Sequence, residues 1–350
     1  MTQPEPAPWQ AFHIFYTANS RPVIAECIQP LVQQLRADGL LHRYFFINYW
    51  LEGPHVRLRV QPSAGADPAD VQRRVEAAVA TFLARRPALY DIKSEFFVDM
   101  YNTLFDLEFE PEERKQYLGT DGRMRQRPNN SVHRQPYEPE YGKYGGPAGV
   151  DLAEWHFEHS SDLVAKADQT MNVHVRSVLL GLGAQLMMVM ATSFLPDPAQ
   201  LQEFLMAYHT FWRQAFEQTS LITEVEYEKA YAMMADEVGK RFDTIRKAHA
   251  DGNPDALPPM FAGWMRHCTE LRDRVVQLAG EGKLAFASWQ NPGGEDLITD
   301  PHAALERLLS PFLHMTNNRL QVTLGDEAYL SLVLARTLAE HLSVGTTATA

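Results

Sequence analysis

An α+β protein is predicted, with an N-terminal strand–helix–hairpin sheet packed against a large helical part. Three observations predict it. Residues 12–17 (FHIFYT), 43–51 (RYFFINYWL) and 53–62 (GPHVRLRVQP) are short runs, apolar or alternating, bounded by turn residues. Residues 23–38 and 70–85, which separate and follow these runs, repeat their apolar positions at helical spacing. Beyond residue 150 the chain is almost wholly of helical period.

Each element follows from its own residues. The first strand, 12–17, leads to a helix over 23–38, where Ile24, Cys27, Ile28, Leu31, Val32 and Leu35 share a face. Residues 43–51 are apolar on both faces, as in a central strand. Glu52-Gly53-Pro54 then turns the chain, and 53–62 returns as the second arm of a hairpin. Its alternation sets Val56, Leu58 and Val60 on one face and His55, Arg57 and Arg59 on the other. The helix over 70–85 is amphipathic through Val71, Val75, Val79, Phe82 and Leu83. Residues 121–149 are rich in Arg, Asn, Pro and Gly, have neither period, and are expected to form a long functional loop. Helices are predicted over 152–171, 178–194, 198–218, 224–250 and 259–280, then a strand over 318–324 and a closing helix over 327–342. Neither repeat nor clean linker interrupts the pattern, so a single α+β domain over 1–350 is expected, with 1–9 a disordered, proline-rich lead-in.

Composition narrows the function. Of 350 residues, 45% are hydrophobic and 22% charged, and the formal net charge is −12. That balance argues against a broad surface for nucleic acid or anionic membrane, since both would be repelled. Any bound anion must be held by a local cluster of cations. Cys27 and Cys268 lie far apart and suggest neither a disulfide framework nor a zinc knuckle, but two buried thiols in a reducing compartment. The N-terminus lacks a signal-peptide pattern, and 178–195 (VLLGLGAQLMMVMATSFL), although long enough to span a bilayer, carries Gln185 centrally. It reads as a buried core helix, and a cytoplasmic protein is expected.

The strip His55, Arg57, Arg59 is either a solvated outer face or an anion-binding strip, and the segment alone leaves both open. Usual nucleotide motifs (Gly-x-Gly-x-x-Gly after a strand, or Gly-Lys-Ser/Thr) and His-Glu-x-x-His are missing from the sequence. In Trp155-His156-Phe157-Glu158-His159-Ser160-Ser161-Asp162, His156 and His159 share a helix face, but two histidines without a third ligand favour a polar or capping role over zinc.

Three further stretches stand out: Phe46 to Arg59; the run Tyr137-Glu138-Pro139-Glu140-Tyr141-Gly142-Lys143-Tyr144-Gly145-Gly146; and His314-Met315-Thr316-Asn317-Asn318-Arg319-Leu320. A Phe-Ile-x-Tyr strand, a turn and His-x-Arg-x-Arg resemble the small C-terminal module of class I lantibiotic dehydratases, also known freestanding as thiopeptide-type bacteriocin biosynthesis proteins. The second stretch is similar to that family's Tyr-Glu-x-Glu-x-x-Arg-Tyr-Gly-Gly, and the third to its His-Met-x-x-Asn-Arg-Leu. The three lie in the same order, over a resemblance running from near Trp9 to the final helix.

The resemblance implies a tailoring enzyme for a ribosomally made peptide. In one branch it is a lyase, eliminating glutamate from glutamylated Ser or Thr to leave dehydroalanine or dehydrobutyrine. In another it joins two dehydroalanines in a formal [4+2] cycloaddition, making the pyridine core of a thiopeptide. A non-catalytic peptide-binding scaffold is the third alternative. It further implies catalytic positions at Arg57, Arg59, Lys143 and His314, with substrate-binding positions at His55, Glu140, Tyr144 and Arg319. It implies no metal or other cofactor. The expected partners are a precursor peptide, leader and core, and for elimination a separate tRNA-dependent glutamylating enzyme; a homodimer is left open, and direct contact with nucleic acid or membrane is not expected. One position departs: Lys143 stands where the eliminase pattern has arginine. Lysine lacks the planar fork that grips a carboxylate, but among like charges it could lose its proton and act as a base. Elimination needs a base, cations for the developing oxyanion and a receptor for the departing carboxylate; the strip could supply the last two.

Overall fold

The computed structural model describes residues 6–90, 105, 111–216, 224–288, 291 and 293–347, of which 215–216, 224–234 and 341–347 are described by backbone alone. The chain divides into two compact units, Met1–Glu138 with Ser160–Thr170, and Pro139–His159 with Met171–Ala350.

The first unit is built on a four-stranded antiparallel sheet. Its strands are β1 (Gln10–Phe15), β2 (Leu41–Tyr49), β3 (His55–Pro62) and β4 (Ser131–Gln135), in the order β2-β3-β1-β4. One continuous helical segment, 21–37, joins β1 to β2; its Ile24–Ile28 turn is a π-helix. A second helix, Pro68–Arg85, follows β3, and its N-cap Asp67 accepts from the Ala69 amide at 3.0 Å. This β-α-β-β-α-β order is the ferredoxin-like split βαβ arrangement. Register places Phe12 and Ile14 of β1 opposite Leu58 and Val56 of β3, and Tyr44 and Phe46 of β2 opposite Val60 and Leu58. All these side chains, with Ile24, Ile28, Leu35, Val71, Val75 and Val79 of the helices, are essentially inaccessible. Each contributes about 1.5–3 kcal/mol by leaving water. Tyr44 also receives Gln29 Nε2 at 3.2 Å and donates to Asp162 at 2.7 Å, which ties the 160–170 helical end to this unit.

The second unit is helical. Its helices are Gly146–Thr170 (through His159), Arg176–Phe194, Pro198–Phe216, Glu224–Ala250, Pro259–Gly280, Pro301–Leu320 and Leu324–Thr347. Arg176–Phe194 is buried from Ala184's turn onward and packs against Glu224–Ala250, Pro259–Gly280, Pro301–Leu320 and Leu324–Thr347. It is long and apolar enough to cross a membrane, but here it forms the bundle's centre, with Trp264 Nε1 donating to Leu186 O at 3.1 Å. A short ribbon of β5 (Ala285–Ala287) and β6 (Glu295–Leu297) completes the unit.

The structure bears out the α+β class and corrects two local expectations. Residues 121–149 are not one irregular loop: they hold β4, a helical turn Tyr141–Tyr144 and the start of the helix at Gly146. β4 is an edge strand, exposed in part on both faces, so its residues carry no alternation to read. Residues 318–324 are not a strand. Asn318 to Leu320 finish a helix, Gln321 closes it in the left-handed region (φ 64°), and Val322 N donates to Asn317 O at 3.0 Å. The alternating Leu320, Val322 and Leu324 look like a strand, but Leu320 and Val322 are buried at the end of one helix and Leu324 begins the next.

Candidate active site

The face of the sheet opposite Phe12, Ile14 and Leu58 answers the question of the cationic strip. Register sets Ala11, His13 and Phe15 of β1 opposite Arg59, Arg57 and His55 of β3, and opposite Gln135, His133 and Ser131 of β4. Phe45, Ile47 and Tyr49 of β2 lie on the other side of β3's three residues. Only Arg57 of the strip keeps intermediate exposure; His55 and Arg59 are buried, at 4% and 6%. A solvated outer face is thereby excluded for those two.

Arg59 is the unusual group. Its Nε and Nη1 are buried and have no hydrogen-bond partner among the described residues. Its guanidinium lies 5.6 Å from the Tyr137 ring centroid, and Tyr137 is itself walled by Trp9 at 5.6 Å and Phe45 at 6.2 Å. Burial first, and the Arg57 charge second, disfavour its cationic form. A guanidinium nevertheless keeps its proton, so the result is an under-coordinated cation suited to receive an anion. Arg57 sits over Tyr49 at 3.5 Å and donates through Nε to His55 Nε2 at 3.3 Å. His55 Nδ1 donates to Gly53 O at 2.8 Å, which fixes its tautomer. Burial drives the His55 imidazole down to about 3, partly opposed by that hydrogen bond, and drives His13, stacked on it at 4.9 Å, down further still. Two neutral imidazoles thus flank two permanent cations.

The turn that delivers this strand is clamped. Glu52 adopts φ 61° and Gly53 φ 113°, where a Cβ would also lie 2.9 Å from Gln126 Oε1. Glu52 Oε1 accepts from Arg125 Nε and Nη2 at 3.0 and 2.8 Å, its Oε2 from Arg127 Nε at 3.0 Å, and its carbonyl from the Arg127 amide at 2.8 Å. A cleft of about 640 Å³ opens beside the turn, lined in part by Phe15, Gly53, Pro54, Gln126, Arg127 and Asn129.

The remaining expected residues belong to the second unit. Glu140 and Lys143 are neighbours on one turn, Nζ to Oε1 3.4 Å, both exposed to solvent. Tyr144 is buried against Phe157 and Phe312, with ring centroids at 5.4 and 6.1 Å, and burial raises its phenol well above the ordinary range. Gly145 (φ 86°) lets the chain close on β5, where Ala285 N donates to Gly145 O at 3.2 Å and a Cβ would meet Phe286 at 2.9 Å. Arg319 has no exposed surface; its Nη1 donates to Met315 O at 2.7 Å and its guanidinium covers Phe157 at 4.6 Å. His314 pairs through Nδ1 with Glu327 Oε2 at 3.1 Å. The two histidines weighed for metal both meet His267: His156 is fully buried, its Nδ1 3.0 Å from His267 Nε2, and His159 stacks on His267 at 4.1 Å.

The first unit therefore brings together His55, Arg57 and Arg59, and adds His13, Tyr49 and Tyr137. The second brings Glu140 beside Lys143 and sets Tyr144 near Arg319. Sequence reasoning did not find His13, whose place follows from β1–β3 register, nor Glu327, thirteen residues beyond His314 across a helix turn. The sheet face can bind an anion and stabilise developing oxyanion charge; His314 can carry a proton.

A family model described as the lantibiotic biosynthesis dehydratase C-terminal region matches residues 9–338. Among solved structures, the chain superimposes on the pyridine synthase TbtD from thiomuracin biosynthesis with a TM-score of 0.72 at 19% identity, covering 96% of this chain and 99% of that one. It superimposes on TsrL with a TM-score of 0.67 at 14% identity, covering 96% and 95%. With the tRNA-dependent lantibiotic dehydratase MibB from Microbispora sp. 107891 the TM-score is 0.51 at 18% identity, over 98% of this chain and 29% of that chain. These likenesses establish a shared fold. No curated protein matches the chain. The chain belongs to the lantibiotic biosynthesis dehydratase C-terminal family.

Proposed function

We propose that this family member is a tailoring enzyme for a ribosomally synthesised peptide, and that its cationic sheet face polarises a peptide carbonyl or receives a carboxylate. One observation carries the reading: Arg59 is buried with two N–H groups unpartnered among the described residues. Fixed donors of this kind stabilise oxyanion charge without reorganising, and each typically lowers a barrier by ~2.7–4 kcal/mol. Arg57, the neighbouring permanent cation, shares that charge; His314, in the second unit, is read on its own surroundings as a proton carrier. The cleft beside the hairpin turn gives an extended peptide a place to lie.

Of the two reactions, the formal [4+2] joining of dehydroalanines is better supported. Lys143 departs from the eliminase pattern at a position that would grip glutamate, and lysine is no substitute for arginine's planar fork. The fold likeness to the pyridine synthase is also the fuller one, spanning 99% of that chain. In this reading the cations polarise the amide carbonyl whose carbon enters the new ring; its oxygen leaves as water, and aromatisation expels the leader as its amide. Glutamate elimination is the second reading, favoured by Arg59 Nε and Nη1, which have no partner among the described residues and suit a departing carboxylate; it requires a glutamylating partner. Mass spectrometry separates them. A leader-bearing peptide with two dehydroalanines should yield a cyclised core and free leader amide, while a glutamylated peptide should be returned intact. Loss of glutamate from the latter would establish the second reading, and turnover of neither would leave a peptide-binding scaffold.

A further inference from the structure

Glu327 is wholly buried in the first turn of the Leu324–Thr347 helix, and both of its carboxylate oxygens are engaged. Oε1 accepts the Tyr208 hydroxyl, and Oε2 lies 3.1 Å from His314 Nδ1. Among the described residues no lysine or arginine pairs with it, so the Tyr208 hydroxyl and the His314 imidazole are its two side-chain partners. Two donors aimed at two oxygens is the arrangement an ionised carboxylate takes, and a buried carboxylate without partners would be strongly unfavourable. Tyr208 remains a donor, since burial first and the Glu327 charge second raise its hydroxyl well above the ordinary range. Trp212 lies against the His314 ring at 4.6 Å, and the imidazole keeps 23% of its surface exposed. The ring is thus held on one face and at one nitrogen while an edge stays open.

We propose that Glu327, supported by Tyr208, is a positioning residue that holds His314 in its Nδ1–H tautomer and leaves the Nε2 lone pair free to take a substrate proton. The proposal rests on the reading of His314 as proton carrier. When Nε2 accepts a proton the imidazolium forms beside a carboxylate already in place, so the charge is met without rearrangement. The proton returns from Nε2 to substrate or water, and His314 is regenerated.

The test uses the full chain with 15N-labelled histidine. His314 is assigned by the signal lost in His314→Ala, and its tautomer is read at neutral pH from two-bond proton–nitrogen couplings. The wild type should show Nδ1–H with unprotonated Nε2, and Glu327→Gln a mixed population. With a synthetic leader-bearing peptide carrying two dehydroalanines, or the glutamylated peptide if that is the one turned over, Glu327→Gln should lower kcat by ~10–100-fold, as loss of a histidine-orienting partner does, with KM within about twofold. Glu327→Asp keeps the charge and should recover part of both the tautomer and kcat; it also serves if the glutamine variant does not fold. An Nε2–H tautomer in the wild type, or an unchanged tautomer in Glu327→Gln, overturns the proposal. A shifted tautomer with wild-type kcat in both Glu327→Gln and His314→Ala overturns instead the proton-carrier reading, and the positioning role with it.

Discussion

Arg59 in the first unit and Arg319 in the second are both buried, yet their surroundings differ. Arg319 gives Nη1 to the carbonyl of Met315, one turn back on its own helix, and covers an aromatic ring. Arg59 stands on a sheet, where backbone groups are spent on neighbouring strands, and its Nε and Nη1 find no acceptor among the described residues. A helix end offers carbonyls to a long cation; a sheet face offers none. Arg319 is therefore tied to its own helix through Nη1, whereas Arg59 keeps both Nε and Nη1 without an acceptor among the described residues.

Breaking this contrast gives a graded set of expectations. Arg319→Ala removes a packed stem and an internal hydrogen bond, and should lower stability by ~3–5 kcal/mol. A urea midpoint close to that of the wild type would show that Arg319 is not structural. Arg59→Met should do the reverse, leaving stability unchanged or raised, because an apolar isostere removes a buried charge. Product formation from the active peptide should nevertheless fall ~10²–10³-fold. Equal damage to folding and turnover would erase the distinction.

The flanking imidazoles sharpen it further. Burial holds His55 down at about 3 against an ordinary 6.5, so the folded protein binds fewer protons than the unfolded chain below pH 6.5. Stability contributed by His55 is full above about pH 6.5 and is lost as pH falls from there towards 3, at roughly 1.4 kcal/mol per pH unit. His13, His156 and His267 are shifted in the same direction. Denaturant unfolding at pH 5 and pH 7 should show a smaller pH difference for His55→Gln than for the wild type; an equal slope would mean that His55 is not buried neutral.

Much of the fold was legible because it is periodic. The helices 224–250 and 259–280 and the hairpin follow from the recurrence of apolar residues, and the alternation in β3 correctly separated Val56, Leu58 and Val60 from His55, Arg57 and Arg59. Edge strand β4 was hidden because partial exposure on both sides leaves no alternation, and 318–324 misled because a helix closure and a strand can use the same apolar spacing. The candidate residues were visible as motifs, but their surroundings were not: Tyr137 beside Arg59 and Glu327 beside His314 are each separated by more than one turn of chain.

Local order alone determined which residues share a face, because side-chain direction follows from backbone period. It also determined the α+β class and the family. Tertiary structure decided that His55 and Arg59 on the polar face of β3 are buried, that Arg59 Nε and Nη1 find no acceptor among the described residues and that a carboxylate from another helix meets His314. Those facts depend on strand register and helix packing, which bring together atoms whose separation along the chain carries no local signal.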